Sequence, residues 1–194
     1  MRVITFWLSI ILLGVSQTAR AAESTPKEPA VTNEPSAAKE PSVTNEQPVV
    51  KEPPVTKEQV LAAIAMLETN AASDAGVDAS NVIIRFAKES NAVKVRLTTE
   101  ILPWMTSTVL QRVDVARKTL LAAYLGGNIR AQLKTQKPVD DLYEGWVLTI
   151  SAYHQIRRRK PEIVVAEIDD LGAKQQKGEL KLYAVEIQNK QPKP

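Results

Sequence analysis

Cysteine is absent from the 194 residues, and histidine occurs once. A disulfide framework, a thiolate metal site, an iron–sulfur cluster and a catalytic cysteine are therefore excluded. One imidazole excludes a multi-histidine zinc or iron centre and argues against a histidine-based triad. Glycine is sparse, at 7 residues, and aromatic residues make up 5%. The chain has no Walker loop, dinucleotide fingerprint, nucleophile elbow or EF-hand loop. From these absences we expect no catalytic set, no bound metal and no cofactor. Proline runs the other way: there are 12, and seven of them fall between Pro26 and Pro54. The length suits one ordinary domain with appendages.

The N-terminal 22 residues have the layout of a secretory signal. Arg2 supplies a short positive region, Val3 to Val15 is a nearly unbroken apolar run, and Ala19-Arg20-Ala21 offers the small-x-small pattern of a cleavage site. The run is shorter than the roughly 20 apolar residues that a membrane-crossing helix needs. Cleavage is expected after Ala21 or Ala22, leaving no transmembrane helix in the mature chain and placing the protein in the periplasm or outside the cell. No cysteine follows the run to accept a lipid.

A hexad repeat follows. Residues 27–62 divide into KEPAVT, NEPSAA, KEPSVT, NEQPVV, KEPPVT and KEQVLA, so that Glu28, Glu34, Glu40, Glu46, Glu52 and Glu58 keep a six-residue period. Pro29, Pro35, Pro41 and Pro53 follow four of them. A solenoid repeat is longer and buries a hydrophobic face, whereas this segment has no Leu, Ile or aromatic residue before Leu61. It cannot bury enough surface to offset chain entropy. Residues 23–56 are thus expected to form a disordered, polyproline-II-like spacer. The alternation of Lys and Glu resembles the proline-rich periplasmic spacers of TonB-type envelope proteins, a compositional likeness confined to the spacer. Ser36-Ala37-Ala38-Lys39 matches a serine-enzyme S-x-x-K pattern, but no helix is expected there to bring Ser and Lys together.

Residues 57–190 should fold, with a short disordered tail at 191–194. Val60, Leu61, Ile64, Leu67 and Ala71 predict a helix over 57–72, with Thr56 and Gln59 as a capping box. Val82, Ile84 and Phe86, then Val93, Val95, Leu97 and Ile101, alternate about a polar connector and predict a β-hairpin. Pro103 opens a second helix, which Gly126-Gly127-Asn128 should end through a left-handed cap. Residues 146–153, 163–168 and 180–187 read as strands, joined by a polar connector over 169–178. The expected fold is α+β, in the order α-β-β-α-β-β-β: two helices packed on a mainly antiparallel sheet of about five strands.

Charge is unevenly placed. Residues 22–58 carry seven Glu and four Lys, and residues 59–194 have a balance of +4. The densest basic feature is Arg157-Arg158-Arg159-Lys160, which with Lys94 and Arg96 on the hairpin's polar face would form a basic patch for phosphate, lipid headgroup or acidic protein. The competing reading is a solvated strand end whose consecutive charges point apart. No nucleic-acid motif accompanies the patch, and no nucleic acid is expected as a partner. His154 is expected half-buried on a strand face, opposite Ser151. Asp140, Asp141 and Glu144, or Glu167, Asp169 and Asp170, would be the carboxylates of a small hydrolase, although adjacent aspartates more often make a turn or an N-cap. Trp104, Trp146, Tyr143 and Tyr153 are candidates for a glycan surface or for core packing. The reading that follows is an exported, non-enzymatic interaction module that binds an envelope or extracellular protein. An anionic-headgroup binder and a carboxylate hydrolase are the alternatives.

Overall fold

A computed structural model describes residues 52–191, all of which belong to one compact unit over 49–194. The expected signal peptide, its cleavage site at Ala21 and Ala22, the S-x-x-K match and the repeat up to residue 51 lie outside the described residues, as do residues 192–194. Among the described residues there are seven α-helices, one 3-10 turn and no strand. The expected α+β architecture is therefore wrong: this is a helical bundle.

Helix α1 (Lys57–Asn70) begins as its sequence predicts. The Gln59 amide N–H donates to the Thr56 hydroxyl and the Thr56 N–H to the Gln59 side chain, closing the capping box. Val60, Ala63, Ile64 and Leu67 face the core. After Ala71 and Ala72, Ser73 accepts from the Gly76 N–H at 3.2 Å and starts α2 (Asp74–Glu89). This helix occupies the first arm of the expected hairpin. Its buried residues are Gly76, Ala79, Ser80, Ile83 and Phe86, a spacing of three and four. The alternation of Val82, Ile84 and Phe86 misleads because Ile83, which the alternation skips, is wholly buried. Val82 and Ile84 flank the stripe.

The second expected arm has no regular secondary structure and pairs with no strand. The Gln132 side chain clasps Lys94: the Lys94 N–H donates to its Oε1 at 2.8 Å and its Nε2 donates to the Lys94 carbonyl at 2.7 Å. Two residues on, the Arg96 N–H donates to both oxygens of Asp140, at 3.0 and 3.1 Å. Side chains thus take the hydrogen-bonding role that a neighbouring strand would have. Val93 and Ile101 turn into the core, and the Trp146 indole donates to the Ile101 carbonyl at 2.9 Å.

Pro103 opens a 3-10 turn (Pro103–Thr106) and a short α3 (Thr108–Gln111) in place of the long helix expected. The long helix α4 (Asp114–Thr135) begins later and runs through Gly126 and Gly127. The glycines do not cap it; Gly127 lets another backbone approach. A Cβ on Gly127 would lie 2.1 Å from the Glu144 carbonyl oxygen. The helix ends instead at Gln136, in the left-handed region at φ 54°.

Helix α5 (Leu142–Arg159) returns antiparallel to α4 and replaces the expected strand over 146–153. Asp141 is its N-cap, accepting from the Glu144 N–H at 3.1 Å, while the Asp141 N–H donates to buried Asn128 at 2.7 Å. Trp146, Leu148, Thr149, Ile150, Ala152 and Tyr153 are all buried. Nearly the whole circumference of α4 and α5 is covered, as expected for helices at the centre of a bundle. Helices α1 and α2 pack together and against α4, and α6 and α7 pack on α5.

The expected strand over 163–168 does not form: α6 (Ala166–Gln176) takes its second half and most of the expected polar connector over 169–178. Gly178, at φ 75°, ends it in a Schellman motif: the Glu179 N–H donates to the Lys174 carbonyl at 2.8 Å and the Gly178 N–H to the Gln175 carbonyl at 3.0 Å. The last expected strand is α7 (Leu180–Lys190). It packs through Leu180, Ala184 and Ile187, and Tyr183 stacks on Trp146 with ring centroids 5.4 Å apart.

Candidate functional site

The basic run lies in the last turn of α5 and just beyond it, where cations offset the negative end of the helix dipole. Successive residues on a helix point about 100° apart, so the four charges diverge. Arg157 turns to α6, donating to Asp169 at 2.7 Å, with its guanidinium carbon 5.9 Å from the centre of the Tyr153 ring. The Tyr153 hydroxyl donates to the other Asp169 oxygen at 3.2 Å and accepts from the Val165 N–H at 3.0 Å. Burial, reinforced by the Asp169 charge, raises the Tyr153 pKa. Arg159 turns to α1 and donates to the Ala72 carbonyl at 3.1 Å. Arg158 and Lys160 are exposed and carry no ion pair among the described residues.

Arg158 lies on the seam between α1 and α5. Two adjoining depressions run along that seam. One is lined by Glu68, Thr69, Ser151, His154, Gln155, Arg157 and Arg158. The other adds Asn70, Ala72 and Arg159, and shares Thr69, Gln155 and Arg158 with the first. Gln155 ties the helices together, donating to the Glu68 carbonyl at 2.7 Å and accepting from the Ala71 N–H at 2.9 Å. The α5 wall is the stripe Ser151, His154, Gln155 and Arg158. These four share one helical face, and the sequence reading separated Ser151 from His154 because it placed them on a strand. His154 is exposed, not half-buried. No hydrogen bond joins it to Ser151 among the described residues, and the Glu68 carboxylate pairs with Arg130, which also reaches Glu144 at 3.3 Å.

The structure does not bring Lys94 and Arg96 to this groove. Their segment is held by Gln132 and Asp140 at the other end of α5, which spans about 27 Å at 1.5 Å per residue. The patch expected from all six cations is thus split, leaving Arg157, Arg158, Arg159 and Lys160 as a separate cluster.

The candidate carboxylates have other partners. Asp141 caps α5. Asp140 faces Arg96, with Nε 3.7 Å from its Oδ2, and burial raises its pKa to about 6 against the opposing pull of the Arg96 N–H and guanidinium. Asp169 binds Arg157, and Asp170 binds Lys174 at 2.6 Å. None of these aspartates lines the seam. Trp104, Trp146 and Tyr153 are buried, so the aromatic residues form no common surface for glycan. No group of three or more His, Asp or Glu among the described residues is placed to hold a metal. No helix among them is long and apolar enough to cross a membrane. Comparison with models of known families, with curated proteins and with solved structures yields no match.

Proposed function

We propose that the protein is an exported interaction module, delivered by its N-terminal signal, whose α1–α5 seam binds an acidic segment of an envelope or extracellular protein. The observation that carries this reading is Arg158: an exposed guanidinium lining both depressions, with no ion pair among the described residues. Its five donors in a planar fork suit a carboxylate. His154 and Ser151 add polar groups along the same wall, Thr69 faces them from α1, and Lys160 adds a charge just past the end of α5. Binding of this kind combines a charge-assisted anchor with a shallow polar surface.

The test places a photo-crosslinking residue at Gln155 in the full chain, expressed in its own cells, with and without Arg158→Glu and Lys160→Glu. A discrete crosslinked protein that disappears in the doubly substituted chain supports the reading. An identical crosslinking pattern in both chains refutes it. Vesicles of anionic lipid form a separate arm. Salt-sensitive binding to them, without a crosslinked protein, would assign the cluster to a headgroup instead.

A further inference from the structure

The residues just before α1 are held against α2. Arg85, in the fourth turn of α2, donates from Nη1 to the Glu52 carboxylate and from Nη2 to the Pro53 carbonyl. Its Nε is held by both oxygens of Glu89, one turn further on, at 3.1 and 3.3 Å. The guanidinium is therefore oriented by its own helix, with its two terminal nitrogens turned to the incoming chain. Val55 then packs against the core and Thr56 caps α1.

What the fork receives is a dipeptide: a carboxylate side chain followed by a proline carbonyl. Pro53 fixes its own φ and biases Glu52 away from the α region, so both acceptors are presented with little freedom left to lose. A lysine ammonium, as a single compact charge, would not match two separated acceptors in this way. The same Glu-Pro dipeptide recurs at 28–29, 34–35 and 40–41, while Glu46 is followed by Gln47. The docked unit is thus an element of the repeat.

We propose that Arg85 is a docking site for the Glu-Pro unit of the hexad repeat, and that Glu52-Pro53 fills it as a strap fixing the last Glu-Pro unit to α2. Glu52-Pro53 has the advantage over the other three units because only Pro54, Val55 and Thr56 separate it from α1. Glu40-Pro41 would have to close a much longer loop, at a larger entropic cost.

The lack of cysteine makes a two-label distance measurement on the full chain direct. Spin labels are placed at Val50→Cys and Asn81→Cys, Asn81 being an exposed α2 residue one turn before Arg85. Pulsed dipolar spectroscopy should give a distribution a few Å wide in the otherwise unaltered chain. Arg85→Ala should broaden it towards the roughly 15 Å spread of about seven free residues. Glu52→Gln should do the same, and it carries the test if Arg85→Ala impairs folding, because the Glu52 side chain is 75% exposed and lies outside every helix. Helix content by circular dichroism should be unchanged in Glu52→Gln. A distribution already broad without these two changes, or one that stays narrow with Glu52→Gln, overturns the proposal.

Discussion

Gly127 allows a quantitative test of the α4–α5 packing. In Gly127→Ala the new methyl carbon would lie 2.1 Å from the Glu144 carbonyl oxygen, 2.6 Å from its carbon and 2.8 Å from the Gly145 Cα. All three atoms are backbone, so no rotamer change relieves the clash, and α5 must move by about an ångström to restore contact distance. Overpacking of this kind costs about 1–3 kcal/mol, and backbone opposition puts this site at the upper end. Alanine recovers about 1 kcal/mol of helix propensity. The net loss is about 2 kcal/mol, or roughly 6 °C in melting temperature for a domain of this size. Two other glycines serve as controls. At Gly126 the methyl would meet Ile64 Cγ1 at 3.2 Å and Leu148 Cδ2 at 3.3 Å, flexible side-chain ends that can yield. Gly126→Ala should therefore be close to neutral. At Gly172, within α6, its nearest neighbour would be Ile150 Cγ2 at 3.8 Å, so Gly172→Ala should raise stability by up to about 1 kcal/mol. Thermal and urea denaturation followed by circular dichroism should rank the variants Gly172→Ala, Gly126→Ala, Gly127→Ala from most to least stable. A Gly127→Ala protein that melts at or above the parent would refute close backbone packing at this crossing.

Two further outcomes concern the irregular segment over residues 93–98. The Asp140 carboxyl is raised from 3.8 to about 6 in the folded chain, so the folded state holds its proton more tightly than the unfolded chain. Stability from this group is complete below pH 4 and is lost as pH rises through 6, by at most about 3 kcal/mol; Asp140→Asn should remove that slope from urea-denaturation midpoints measured between pH 4 and 7, and an unchanged slope would count against the burial argument. Gln132→Ala leaves the Lys94 N–H and carbonyl without their side-chain partner, at a cost of about 1–3 kcal/mol, and should speed hydrogen exchange at the Lys94 amide; protection equal to the parent's would show that the clasp is dispensable.

Local signals carried part of the fold. The start of α1 was legible because the capping box is a short-range pattern, closed by Thr56 and Gln59 alone. Helix α2 was misread because Val82, Ile84 and Phe86 satisfy a two-residue period, while Ala79, Ile83 and Phe86 satisfy a helical one. Short apolar runs do not decide between the two. Ser73, three residues before Gly76, was the discriminating sign of a helix start. The alternation around Lys94 suits a strand, but the segment's partners Gln132 and Asp140 are 38 and 44 residues away from the groups they bind. Nothing near Lys94 reports that a glutamine on α4 would take the place of a strand. Gly126-Gly127 shows the same limit from the other side: glycine ends a helix when φ turns positive and continues it when another backbone must come close. What opposes the glycine decides which, and here that is Glu144 on α5.

The candidate site inherited its errors from the period assigned to α5. With a strand over 146–153, Ser151 and His154 fall on opposite faces, and Arg158 is one of four undifferentiated charges beyond the strand end. Read as a helix, the same residues place Ser151, His154, Gln155 and Arg158 three, four and seven positions apart on one face. Arg157 then falls towards α6 and Arg159 towards α1, so the run resolves into charges with different partners. The polar stripe was therefore present in the sequence and needed only the helical period. The opposite wall of the seam was not. Gln155 binds the Glu68 carbonyl and the Ala71 N–H, and Arg159 binds the Ala72 carbonyl. Backbone acceptors and donors are common to almost every residue type, so a helix end held in this way leaves no side-chain pattern that identifies its partner.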